Sequence, residues 1–111
     1  MDIEIKPAGH AAVVAISGSV DGITADTLLG TLQDCVDAGH IRLVADLARV
    51  EYTSSAGLRA LLATVKQARQ RGGDLRLASI NPPVRKVLEL SGFTAIMKCY
   101  DDVASALDSY A

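Results

Sequence analysis

The chain has 111 residues, of which 50% are apolar and 22% charged, and its formal net charge is −2. This length fits one globular domain with its own core, and the small negative charge argues against a protein that binds nucleic acid through many phosphate contacts. No apolar run approaches the roughly 20 residues that cross a bilayer, and the first ten residues lack the basic start and apolar block of a signal peptide, so we expect a cytoplasmic protein without a membrane segment.

The first third of the chain predicts a β-hairpin followed by a helix. Alternating apolar and polar residues up to Pro7, and the apolar run 11–17, predict two short strands that are close enough in sequence to pair. Thr24 offers a hydroxyl that could cap a helix. The helix ends at Gly39, and its apolar residues follow at helical spacing: Leu28, Leu32, Cys35 and Val36.

The remaining sequence alternates strands with helices. Segments 41–47, 75–78 and 96–100 predict strands, and helices are expected from Ser54 or Ser55, from Asn81-Pro82-Pro83 and over 102–109. The residues expected to face inward from the second and third helices are Leu58, Leu61, Leu62, Val65, Ala68, Val84, Val87, Leu88 and Leu90. This order predicts a single α/β domain over residues 1–111, with a mixed, mostly parallel sheet of about five strands and about four helices.

Three loops follow the carboxyl ends of the predicted strands, at residues 18–23, 48–55 and 79–82. In parallel sheets, ligands and partners usually bind at such loops. The middle loop leads into the second helix through two serines, Ser54 and Ser55. A serine at a helix start can cap the unpaired N–H groups, and the same place favours a phosphate because of those groups and the helix dipole. From the residues alone, capping is the simpler interpretation.

The sequence contains no catalytic motif. The segment T-S-S-A-G at 53–57 lacks the pattern of a nucleophile elbow, and there is no glycine-rich nucleotide-binding motif. His10 and His40 are expected to be ordinary surface residues. Cys35 and Cys99 follow no metal or redox spacing and are expected to be reduced residues of the core. We therefore expect neither an enzyme nor a cofactor.

Charged side chains have simple interpretations too. Asp21, Asp46 and Glu51 could converge near Ser55, but carboxylates close to loops are usually solvated or cap helices, so no metal site is predicted. The outer face of the second helix carries a series of cations, which is typical of a solvated face with positive charge toward the helix carboxyl end: Arg59, Lys66, Arg69 and Arg71.

Four segments together resemble a known family. The run from Asp46 to Arg59, D-L-x-x-V-x-Y-x-S-S-A-G-L-R, resembles the signature of STAS domains and is most similar to that of the bacterial anti-sigma factor antagonists. The segments at 18–25, 72–77 and 81–93 agree with the same family, in the same order, and together they cover almost the whole chain.

The resemblance implies regulation by partner switching. In that family the unphosphorylated protein binds an anti-sigma factor that is also a serine kinase, phosphorylation of one serine separates the two, and a PP2C-type phosphatase resets the cycle. Counted back from Gly57, that serine is Ser55. Ser54 stands where the family commonly has aspartate and is the less favoured alternative. The partner-binding residues that the resemblance implies are Asp21, Thr53, Ser54, Ser55, Ala56, Gly57 and Arg59.

Two other functions are compatible with parts of this pattern. A STAS module can serve without phosphorylation as an adaptor subunit of a lipid-transport or sensory complex. An enzyme that uses Ser55 as a nucleophile is disfavoured, because no general base or oxyanion arrangement is visible in the sequence. We expect a monomer or a weak dimer that binds neither nucleic acid nor membrane.

Overall fold

A computed structural model describes all residues, 1–111. Five strands and four helices follow one another in the predicted order. The strands are β1 (Asp2–Ala8), β2 (Ala11–Ser17), β3 (Arg42–Arg49), β4 (Asp74–Ala78) and β5 (Cys99–Tyr100). The helices are α1 (Gly22–Asp37), α2 (Ser55–Gln70), α3 (Pro82–Leu90) and α4 (Val103–Asp108), and a 3-10 turn spans Phe93–Ala95.

The strands form one sheet in the order β1-β2-β3-β4-β5. β1 and β2 are antiparallel and joined by the tight turn at Gly9, whose φ of 66° suits glycine. The other neighbours are parallel, because a helix crosses over between each pair. The predicted mixed, mostly parallel sheet is therefore confirmed.

The helices cover the sheet unequally. The main core lies on the face that α1, α2 and α3 cover, where Leu32, Leu43 and Leu88 are fully buried among 23 clustered residues. On the opposite face, Ala106 of α4 packs on Val13 and Val44 in a cluster of only four buried residues. Part of that second face is left uncovered by helices. None of the four helices is long and apolar enough to cross a membrane.

The amino end of α1 differs from the sequence prediction. Asp21, rather than Thr24, is the N-cap, and its carboxylate accepts hydrogen bonds from the N–H groups of Ile23 and Thr24. Thr24 completes a capping box, since its hydroxyl accepts a bond from the N–H of Asp21 at 2.8 Å. The helix therefore begins at Gly22, three residues earlier than a Thr24 cap would allow.

Two expectations near the carboxyl end are wrong. Leu90 was expected to face inward but its side chain is 79% exposed, because it lies about 200° around the helix from the buried Leu88. The strand expected over 96–100 is reduced to Cys99 and Tyr100. The N–H of Met97 donates to the carbonyl of Phe93 at 2.8 Å, so the preceding residues turn instead of extending.

Candidate functional site

The loops that follow β2 and β3 run side by side at one edge of the sheet. Val20 and Thr53 form an isolated parallel bridge. The N–H of Val20 donates to the carbonyl of Tyr52 at 3.0 Å, and the N–H of Ser54 donates to the carbonyl of Val20 at 2.7 Å. These bonds continue the β2–β3 pairing past the regular strands, and they bring the amino ends of α1 and α2 to the same place.

The two serines at the start of α2 have different surroundings. Ser54 is the N-cap, and its hydroxyl accepts a hydrogen bond from the N–H of Gly57 at 3.3 Å. Ser55 is the first helical residue; its side chain is exposed and makes no hydrogen bond within the protein. Capping therefore occupies Ser54 and leaves the Ser55 hydroxyl free. The N–H groups of the first helical turn lie beside it and are not all paired.

Asp21 lies across the joined loops from this helix start. Its carboxylate is exposed and bonds the first turn of α1. The hydrogen bonds from Thr24, from its backbone first and then from its hydroxyl, hold the pKa of the Asp21 carboxyl below its ordinary value. Asp21 therefore keeps a full negative charge near the site at neutral pH.

Beneath the helix start, two of the expected partner-binding residues are buried. Thr53 is 6% exposed and its hydroxyl donates to the carbonyl of Ser54. A Cβ atom on Gly57 would collide with Thr53 Oγ1 and would lie 2.7 Å from Val20 Cγ1. Gly57 thus permits close packing of α2 on the loops. These two residues shape the surface, while Ser55 and Arg59 are exposed on it and Ala56 is partly covered.

Asn81 holds the site loop from the side through side-chain hydrogen bonds, a role that the sequence did not predict. Its amide nitrogen donates to the carbonyls of Ala48 at 2.9 Å and Val50 at 3.0 Å. Ser79 has a positive φ of 57°, which turns the chain after β4 toward this position. A polar residue just before Pro82 is equally typical of a helix cap, so no sequence signal distinguishes capping of α3 from binding to the site loop.

Two exposed apolar side chains flank the helix starts, and they too were missed. Ile23 is 84% exposed and Tyr52 is 54% exposed. Ile23 lies off the apolar stripe of α1, and this position was the one sequence signal that could have indicated an exposed apolar side chain here. Exposed large apolar groups beside a concentration of polar groups are typical of protein-binding surfaces.

The carboxylates considered as metal ligands do not converge. Asp46 alternates with the core residues Ala45 and Leu47, so it faces the opposite side of the sheet, where it accepts a bond from the N–H of Ala48 at 3.1 Å. Asp21 is engaged as a helix cap. No three His, Cys, Asp or Glu side chains are grouped in a way that could hold a metal ion.

Other sequence expectations concern residues away from the site. His10 and His40 are exposed as predicted. Both cysteines are free, Cys35 in the core and Cys99 half-buried, and burial raises the pKa of each thiol. Of the four cations expected to be solvated, two are not: Arg69 pairs with the buried Asp74 at 2.9 Å, and Arg71 donates to the carbonyl of Val36 at 3.0 Å and pairs with Asp37.

The arrangement of loops, helix starts and sheet can be compared with known families. The family profile described as the STAS domain matches residues 2–106. The chain belongs to the STAS domain family. BtrV of Bordetella bronchiseptica, a provisionally named anti-sigma factor antagonist, is 44% identical over 84 residues, covering 76% of this chain and 72% of that protein. The anti-sigma F factor antagonist of Paenibacillus polymyxa is 30% identical over 110 residues, covering 96% and 94%.

Solved STAS structures share the architecture. An anti-sigma factor antagonist from Mycobacterium paratuberculosis superposes with a TM-score of 0.89 at 27% identity, covering 97% of this chain and 92% of its own. The phosphorylated form of the Bacillus cell-fate determinant SpoIIAA has a TM-score of 0.75 at 17% identity, covering 99% and 100%. The second likeness shows the fold alone.

Proposed function

We propose that this STAS protein is an anti-sigma factor antagonist that works by partner switching. In its unphosphorylated form it binds an anti-sigma factor that is also a serine kinase, and it is released when Ser55 is phosphorylated. A PP2C-type phosphatase returns it to the binding form, and the cycle takes place in the cytoplasm. The names of its relatives from Bordetella and Paenibacillus support the general role.

The free hydroxyl of Ser55 carries the assignment of the modified residue. A kinase needs an accessible hydroxyl, and that of Ser55 is exposed and unbonded, whereas that of Ser54 accepts the N–H of Gly57. Phosphorylating Ser54 would place the new group on the oxygen that caps the helix. A phosphate on Ser55 stays next to the unpaired N–H groups and positive dipole end of α2. Modification at Ser55 is therefore compatible with an unchanged fold.

Release follows from the charge that the phosphate adds. A partner docking here would cover Ile23 and Tyr52, the exposed apolar side chains beside the helix starts, and would desolvate Ser55. Phosphorylation brings about −1.5 to −2 charges to that place, next to the carboxylate of Asp21. A partner that presents carboxylates is repelled by this group, and a partner that presents apolar surface would have to desolvate it without compensation. The switch then acts at the interface and requires no rearrangement of the sheet.

Incubation with the cognate kinase and ATP tests the proposal, with intact mass and peptide mapping as the readout. We expect one phosphate, on Ser55. Ser55→Ala should abolish it, and Ser54→Ala should retain it while costing about 1 kcal/mol of stability through the lost cap. Phosphate on Ser54 would keep the switch but move its site. No phosphate from an active kinase would favour the alternative of an unphosphorylated adaptor in a transport or sensory complex.

A further inference from the structure

The two edges of the sheet differ in whether they can accept another strand. At the β5 edge, the N–H of Leu77 donates to the carbonyl of Lys98. The N–H of Leu75 faces the same side, two residues earlier, but it donates to the carboxylate of Asp74 at 3.0 Å. Asp74 is buried and held by Arg69 and Arg76 at 2.9 and 3.2 Å. Side chains therefore close the part of β4 that β5 leaves unpaired.

The β1 edge is open along seven residues. β1 and β2 are joined by a two-residue turn, with Ala8 opposite Ala11 as the closing pair. From this hydrogen-bonded closing pair, hydrogen-bonded and non-hydrogen-bonded pairs alternate along the hairpin. Ile3, Ile5 and Pro7 occupy the non-hydrogen-bonded positions, so their backbone polar groups point away from β2. Proline has no N–H, and its place on the outward side agrees with this assignment.

We propose that β1 pairs with β1 of a second copy of this chain, antiparallel and with Ile5 opposite Ile5 about a two-fold axis. In this register the two Ile5 residues exchange two N–H to carbonyl bonds, and each Ile3 N–H donates to the Pro7 carbonyl of the second copy. Ile5 is 41% exposed in the single chain, and its side chain would pack against its own symmetry mate.

Charge complementarity selects this register. With Ile5 at the centre, Glu4 of each copy lies directly opposite Lys6 of the other, and opposite charges across strands stabilise a sheet. Moving the centre by one residue places Glu4 opposite Glu4, or Lys6 opposite Lys6, and like charges in that position are destabilising. Within one chain these two side chains form an ion pair at 3.8 Å. Both are exposed, and such surface pairs contribute little, so they can exchange this contact for pairing with a second copy.

The assembly closes at two copies. A two-fold pairing uses the same surface on both chains and consumes both β1 edges. The other edge of each sheet offers only the two residues of β5, which is too short for stable pairing, and on the adjoining part of β4 the Asp74 carboxylate accepts the N–H of Leu75. Growth beyond the dimer is thereby prevented, and the product is one continuous sheet of two five-stranded halves.

Sedimentation velocity of the full chain, at concentrations up to about 1 mM, tests the proposal through a charge exchange. We expect a monomer–dimer equilibrium in the wild type. Lys6→Glu and Glu4→Lys should each weaken the association about tenfold or more, because each creates two like-charge pairs. The double variant Glu4→Lys/Lys6→Glu restores opposite charges and should recover the wild-type dimer. A wild type that stays monomeric, or a dimer indifferent to Lys6→Glu, would overturn the proposal.

Disulfide trapping tests the register independently. Facing hydrogen-bonded residues in antiparallel strands have Cα atoms about 5.5 Å apart, which is within the range of a disulfide. In a Cys99→Ser background, Ile5→Cys should therefore form a covalent dimer on mild oxidation. His10→Cys is the matched control, because His10 is equally exposed but lies at the hairpin turn. Equal trapping of the two variants would contradict the Ile5-centred pairing.

Discussion

The N–H of Ser54 donates to the carbonyl of Val20 at 2.7 Å. This bond joins the residue that caps α2 to the loop that leads into α1, although the two are far apart in sequence. Because the capping residue is held by its backbone, its hydroxyl is directed at the first turn of α2, where it meets the N–H of Gly57. The neighbouring Ser55 is thereby presented outward on a rigid support.

Gly57→Ala is expected to destabilise the fold by about 1–3 kcal/mol, even though alanine is the better helix former. The added Cβ would collide with Thr53 Oγ1 and crowd Val20 Cγ1. Gly30→Ala in α1 is the matched control, since a Cβ there meets nothing within 4 Å and should stabilise by about 1 kcal/mol. Urea unfolding of both variants checks this. Equal effects of the two changes would show that the contact at Gly57 is not restrictive.

Asn81→Asp is expected to loosen the site loop and to cost about 1–3 kcal/mol. The aspartate has the same size, but it has no N–H to donate, and its carboxylate would face the carbonyls of Ala48 and Val50. Hydrogen exchange should show faster exchange of the Val50 amide, which donates to Leu47. Asn81→Ala should show the same local change with a smaller loss of stability. Wild-type exchange in both variants would rule out a positioning role.

The sequence predicted the order of elements because their signals are local. Apolar periodicity marks the strands and helices, and glycines such as Gly39 and Gly72 mark their ends with positive φ values. The start of α2 was located to within one residue, since Ser54 caps it and Ser55 begins it. Membership of the STAS family and the mixed sheet were predicted for the same reason: the matching segments are short and continuous.

Features that depend on distant contacts were not predictable. Asp21 and Thr24 can both cap a helix, and the pairing of Val20 with the second loop sets where the chain turns. The bond from Asn81 to Ala48 joins residues from different loops. The exposure of Tyr52 depends on how two loops pack together, which apolar periodicity within a single segment does not report.

Asp21 is expected to contribute to stability in a pH-dependent way. The pKa of its carboxyl is lowered in the folded state by bonds from Thr24, so the contribution is present above the ordinary carboxyl pKa of about 4. It is lost as pH falls through the lower folded value. Asp21→Asn retains a capping side chain but has no such titration. Urea unfolding at pH 7 and pH 3 should therefore show a smaller difference between wild type and variant at the lower pH. An unchanged difference would contradict the capping role of the charge.

Tyr110→Phe is expected to cost about 1–3 kcal/mol, because the single O–H that two buried carbonyl oxygens share is lost. The Tyr110 hydroxyl lies 2.7 Å from the Leu43 carbonyl and 2.8 Å from that of Asp74, and its bonds anchor the end of the chain across β3 and β4. The aromatic ring 4.0 Å from the Arg76 guanidinium is retained in the variant. Tyr52→Phe, at an exposed site, is the control and should stay within about 0.5 kcal/mol of wild type. Thermal unfolding followed by circular dichroism distinguishes the two, and equal behaviour would show that the hydroxyl does not anchor α4.

Ser55→Asp is expected to weaken binding of the anti-sigma factor at least about tenfold, or about 1.4 kcal/mol, with little change in thermal stability. The carboxylate adds charge beside Asp21 on the surface that the partner must desolvate, yet it suits the positive end of α2. Ser54→Asp is the matched control: aspartate is an equally good cap, and its charge is directed at the Gly57 N–H instead of outward. Titration calorimetry should therefore separate the two variants. Unchanged affinity for Ser55→Asp, or a larger loss for Ser54→Asp, would contradict the assignment of the switch to Ser55.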